Sequence, residues 1–165
     1  MENIFITIVC IALIIIGGIS YATSALNSVD KLTVSWKTAE AYAQETRETD
    51  VKAISSETFN SGSSIDISLE NNGNQALINF DKWDVIVRYQ DGGATWIPYT
   101  TSTPGWSISG IYYNGQPEIY EPNIFNPSET MTINVRLSSG VSENTTNLAT
   151  ISTYNGIYSQ IPFGW

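Results

Sequence analysis

The chain has 165 residues, enough for one globular domain and little more, with 42% hydrophobic and only 14% charged side chains. Seven Lys and Arg face sixteen Asp and Glu, a formal net charge of −9, and such a surface repels phosphate and argues against nucleic-acid partners. Histidine is absent and the one cysteine, Cys10, sits in an apolar run, which excludes imidazole catalysis, His/Cys zinc sites, CxxC redox chemistry and an internal disulfide, leaving open only His-free serine hydrolysis and carboxylate chemistry.

From Asn3 to Val29 no residue carries a charge. As a helix this stretch measures about 40 Å, more than the roughly 30 Å hydrocarbon core of a bilayer. Its eight isoleucines between Ile4 and Ile19 favour strand, but an isolated segment in lipid or in a dry bundle must satisfy its own backbone, which favours helix. Apolar side chains fall on every side of that helix, so something apolar must surround it. A signal peptide requires a basic start, whereas the first basic residue is Lys31. A simple anchor would hold the Lys31 and Lys37 side in the cytoplasm, in conflict with the exported look of the Ser/Thr/Asn-rich remainder. The expectation is a basic leader removed before Met1, and a mature apolar end that stays in the membrane until it is buried among copies of itself. Glu2 then has two roles open to it, a solvated terminal residue or the partner of a free α-amine at Met1 or in a neighbour. Gly17, Gly18, Ser20, Ala22, Ser24 and Ala25 are small, and Gly18-x-x-x-Ala22 and Ser20-x-x-x-Ser24 have the spacing that lets helices approach closely, with a kink at Gly17-Gly18 as the alternative.

Between Asp30 and about Ala53 four bases mix with five acids, and Leu32, Trp36, Ala39 and Ala43 recur at helical spacing. This predicts an amphipathic continuation of the helix, and hence a first domain over residues 1–53. Residues 54–165 then form the second. After Ser55 the period becomes two: Ser64–Leu69 alternates, Asn71-Asn72-Gly73-Asn74 turns the chain, and strands are expected at 76–78, 83–89, 95–99, 106–113, 130–137, 147–153 and 157–159. The predicted fold class is α+β, a long N-terminal hydrophobic α-helix followed by an antiparallel, Ig-like β-sandwich.

Sites for chemistry are few. Gly105-Trp106-Ser107-Ile108-Ser109 lacks the last glycine and the histidine of a nucleophile elbow and reads as strand. Asp81, Asp84, Asp91, Glu118 and Glu121 offer oxygens for calcium without a calcium-loop pattern, so a solvated acidic face and no metal or other cofactor is expected. Trp83, Trp96, Trp106, Tyr89, Tyr99, Tyr112, Tyr113 and Tyr120 suit core or interface better than a sugar platform. Asn144-Thr145-Thr146 is a glycosylation candidate at Asn144.

The Ile-rich start with Gly17-Gly18, the Glu70–Leu77 turn, Trp83–Tyr89 and Glu129–Leu137, set in this order of elements, resemble the archaellins, the type IV pilin-related subunits of the archaeal rotary filament. The glutamate of type IV pilins stands a few positions further in, so Glu2 matches it loosely. The Asn-x-Gly turn is also similar to that of the accessory sandwich proteins of the same machine, which contact the surface layer. The resemblance implies a non-enzymatic motility filament outside the cell, membrane-inserted before assembly and driven by motor platform proteins. Its subunit interface would comprise Glu2, Ile4, Phe5, Ile8, Ile11, Ile14, Ile15, Gly17, Gly18 and Ala22. The alternative is an anchored sandwich that binds the surface layer or glycans as a stator or adhesin.

Overall fold

The computed structural model describes residues 2–165, apart from the side chains of Glu2 and Phe5. It divides into two compact units, Met1–Ala43 and Gln44–Trp165.

The first unit is helical throughout. α1, Glu2–Glu48, runs through Gly17-Gly18 as one α-helix, and its last turn belongs to the second unit. The Thr and Ser side chains that weaken helix propensity are accommodated by bonding to the backbone. The hydroxyls of Thr7, Thr23, Ser28, Thr33 and Thr38 each donate to the carbonyl four residues earlier, at 2.8–3.0 Å. Thr33-Val34-Ser35 therefore stays helical.

The second unit packs two antiparallel sheets face to face. The strands are β1 (Val51–Phe59), β2 (Ser64–Asn71), β3 (Asp84–Arg88), β4 (Ala94–Ile97), β5 (Gly105–Tyr113), β6 (Gln116–Pro117), β7 (Thr130–Arg136), β8 (Thr146–Ser152) and β9 (Tyr158–Gly164). One sheet has the order β1-β2-β7-β5-β6 and the other β4-β3-β8-β9. Alternation does the sorting: Ile65, Ile67 and Leu69 of β2 point inward, as do Ile133 and Val135 of β7 and Val85 and Val87 of β3. Trp83 and Trp106 are buried in the same core, Trp83 edge-on to Phe80 at 5.3 Å and Trp106 edge-on to Tyr99 at 4.7 Å. Along one side the sheets are joined by side chains, Ser159 Oγ accepting from the Ala53 amide and Ser56 Oγ donating to the Pro162 carbonyl, both at 2.8 Å.

Two elements depart from expectation. The helix stops at Glu48 rather than near Ala53, because Val51 is the first inward residue of β1 and its strand pairs Val51 with Asn71. Residues 76–78 form no strand; Leu77 makes an isolated bridge with Phe125, which buries both side chains. The alternation of residues 64–69, 130–137 and 147–153 corresponds to β2, β7 and β8.

Candidate subunit interface

The apolar helix is uncovered. Ile4, Ile8, Ile11, Ile14 and Ile15 are all exposed, Ile14 at 74%, and the whole apolar window is unburied. Ala22 is exposed too, and a Cβ added at Gly17 or Gly18 would meet nothing within 4 Å. Ile14 and Ile15 project from neighbouring positions of one turn, Ile4, Ile8 and Ile11 from successive turns, so the structure brings these residues to one helical surface that no other described residue covers. Phe5 and Glu2 lie outside the described side chains, and so does any pairing of Glu2.

Eleven large apolar side chains lie between Ile4 and Ile19. Covering them from water would contribute roughly 15–30 kcal/mol as an upper bound, and much less from lipid, where close packing must do the work. The internally bonded hydroxyls extend this property beyond the Ile-rich run, since each can enter a dry environment without an orphan donor.

At its other end the helix is seated by residues that sequence spacing does not single out. The Glu48 carbonyl, one of the last of the helix, accepts from the Asn74 amide at 2.8 Å. The amides of Asn72 and Gly73 donate to the Asp50 carbonyl at 2.9 and 3.1 Å. Gly73 permits this approach, since a Cβ there would lie 2.4 Å from the Glu48 carbonyl oxygen. Thr49 is buried, donates to the Glu45 carbonyl and accepts from Asn155 Nδ2 at 2.7 Å, while the Tyr154 hydroxyl donates to the Glu45 carboxylate. The last turn of α1 and Thr49 are thus bonded to the loop between β8 and β9, whose residues lie more than a hundred positions away in sequence.

The other sequence candidates scatter. Of the eight aromatics, Trp83 and Trp106 are core, whereas Trp96, Tyr99, Tyr113 and Tyr120 are exposed on different elements. Asp84 accepts from Trp96 Nε1 at 2.8 Å, Asp91 from the Gly93 amide at 2.9 Å and Glu118 from the Tyr120 amide at 2.6 Å. Among the described residues no three His, Cys, Asp or Glu side chains gather as metal ligands. Gly105–Ser109 lies in β5. Asn144 is exposed on the loop before β8, in a left-handed conformation (φ 57°), its amide donating to the Trp165 carbonyl at 2.9 Å.

A long apolar helix followed by an antiparallel sandwich is an α+β architecture. Within that class the chain has an archaellin-like fold. It is similar to the archaeal flagellum subunit of Methanospirillum hungatei strain JF1, with TM-score 0.66 and 10% identity over 96% of this chain and 90% of that one. The archaeal flagellin FlaB1 from Methanocaldococcus jannaschii matches 70% of this chain and 88% of its own, with TM-score 0.55 and 12% identity. The archaellum periplasmic stator protein FlaG from Sulfolobus acidocaldarius matches 70% of this chain and 99% of its own, with TM-score 0.57 and 21% identity. No protein-family model matches the sequence, and no curated protein does. At these identities the likeness is one of fold.

Proposed function

We propose that the chain is a structural subunit of an extracellular archaellum-like filament serving swimming motility, with no catalysis of its own. The observation that carries this reading is the fully exposed apolar surface of α1, which demands apolar cover on all sides. Copies of the same helix supply that cover, and a heterologous contact between them adds subunits without closing. The likeness to a filament subunit over both helix and sandwich supports this over a lone sandwich. Before assembly the helix resides in the membrane; motor platform proteins act at the base of the polymer. Glu2 pairs with an α-amine at the subunit contact, and Asn144, exposed on its loop, carries a glycan.

The test is negative-stain microscopy of filaments sheared from producing cells, with mass spectrometry of the material. Filaments built from this chain and a sugar mass on the peptide containing Asn144 are expected. Recovery only as monomers embedded in membrane overturns the filament.

A second reading has its own support in the FlaG likeness, which spans nearly all of that sandwich. There the helix remains a membrane anchor and the sandwich binds the surface layer or its glycans as a stator or adhesin. Extraction as a detergent-coated monomer or dimer that captures envelope protein or glycan favours it.

A further inference from the structure

Asn-Gly occurs three times in the chain, at Asn72-Gly73, Asn114-Gly115 and Asn155-Gly156, and Asp-Gly once, at Asp91-Gly92. In each pair the side-chain carbonyl carbon and the glycine nitrogen can close a five-membered ring. Glycine offers no Cβ to hinder the approach. Whether the ring forms depends on what the fold does with the glycine amide.

In three of the four pairs that amide is engaged. Gly73 donates to the Asp50 carbonyl at 3.1 Å, Gly92 to the Tyr89 carbonyl at 3.0 Å and Gly156 to the Thr153 carbonyl at 3.0 Å. Asn155 is held as well, since it is buried, donates from Nδ2 to Thr49 Oγ1 and accepts from Thr153 Oγ1. Asn114-Gly115 differs on each count. Among the described residues nothing accepts from the Gly115 amide or bonds the Asn114 side chain, and both residues are exposed. They form the two-residue loop of the β5–β6 hairpin, with φ 49° at Asn114 and 75° at Gly115, the left-handed pair that such a loop requires. A Cβ at Gly115 would meet nothing within 4 Å. The hairpin is paired only at Tyr113 with Gln116 and Tyr112 with Pro117, so the loop peptide swings at little cost and without disturbing the core.

We propose that Asn114 is a site of spontaneous deamidation through a succinimide, and that this fold leaves it the one open Asn-Gly pair. The Gly115 nitrogen gives its proton to hydroxide and attacks Asn114 Cγ. The new N–Cγ bond forms, the Cγ–Nδ2 bond breaks, and the side-chain nitrogen takes a proton from water and leaves as ammonia. A water molecule then opens the ring. Breaking the N–Cγ bond leaves aspartate, whereas breaking the bond from that nitrogen to the Asn114 main-chain carbonyl carbon leaves isoaspartate, with the backbone rerouted through the side chain. Either product adds one carboxylate to a chain of net charge −9. Isoaspartate also inserts a methylene into a loop whose twist suits two residues, which undoes the β5–β6 pairing. The chemistry is the same for a filament subunit and for an anchored sandwich, so the inference stands apart from the filament reading.

The test incubates the purified full chain in mildly alkaline buffer, folded in gentle detergent or unfolded in denaturant, and follows each asparagine by peptide mass spectrometry. Exchange of NH for O marks deamidation. In the folded chain Asn114 converts at least about tenfold faster than Asn72 or Asn155, whose glycine amides react only after local opening, and in denaturant the three rates converge. An isoaspartyl methyltransferase labels the peptide containing position 114, and Asn114→Gln removes that label while the strand signal in circular dichroism persists. Equal rates at the three sites in the folded chain, or earlier conversion at Asn72 or Asn155, overturn the assignment. So does a folded chain in which Asn114 stays intact while the denatured chain converts.

Discussion

Ile14→Arg separates a dry polymer core from a lipid anchor. In the isolated chain Ile14 is 74% exposed, so the substitution removes no folded-state contact and leaves the sandwich as stable as before. Its whole cost falls on whatever covers the helix. No acidic residue lies between Asn3 and Val29 to pair with the new guanidinium. Such a group costs about 3 kcal/mol in a membrane helix, where it can snorkel, and a dry core that forbids snorkelling adds at least about 3 kcal/mol to that. At 1.4 kcal/mol per factor of ten, about 3 kcal/mol raises the critical concentration for subunit addition roughly a hundredfold. Ile14→Ala, which deletes three carbons already sheltered by lipid before assembly, changes it only about a few-fold. Filament number and length in sheared fractions, counted by negative stain, should collapse for Ile14→Arg and persist for Ile14→Ala, with the membrane-held pool of subunit retained on immunoblot. Normal filaments built from the Ile14→Arg chain would refute burial of this position in a dry core.

Four further substitutions probe the remaining elements. Gly73→Ala drives a Cβ against the Glu48 carbonyl, so the turn must shift and weaken its bonds to the helix end, a loss of roughly 2–4 kcal/mol visible as a lower denaturation midpoint; Gly17→Ala, which meets nothing in the chain, should leave that midpoint unchanged. Asn155→Ala removes the donor to buried Thr49 and should cost about 1–3 kcal/mol by the same measurement, with an unshifted midpoint arguing that the bond is not made. Glu2→Ala should reduce filament yield while the strand signal in circular dichroism persists, and unchanged yield would deprive Glu2 of its pairing role.

The long helix and the sandwich were legible because each repeats a physical pattern over many residues: 27 uncharged positions in the first case, strict alternation such as Ser64–Leu69 in the second. Expectation failed where a pattern was short. Val51–Ala53 was masked by the charged stretch before it, and only pairing with β2 makes it strand. Residues 76–78 are apolar but too few to extend beyond the Leu77–Phe125 bridge. The apolar surface of α1 was legible as a composition, and among the described residues nothing covers it. The seat of the helix end was not, because Glu45 with Tyr154 and Thr49 with Asn155 meet only through the tertiary fold.

The hydroxyls of α1 tie these levels together. Thr and Ser lower helix propensity and would ordinarily argue for contact with water. Here Thr7, Thr23, Ser28, Thr33 and Thr38 all return their protons to the helix backbone, so the same residues that weaken the helix on a propensity scale impose no unsatisfied donor when neighbours close over them. Lys31, Lys37 and Asp30 differ, since their charges require water or opposite charge. A helix of this composition is therefore suited to tight dry packing up to about Val29 and to a wetter, ion-pairing environment beyond it. That division follows from side-chain chemistry alone, before any neighbour is specified, and in the proposed filament it would set the depth at which an apolar centre gives way to a hydrated sheath.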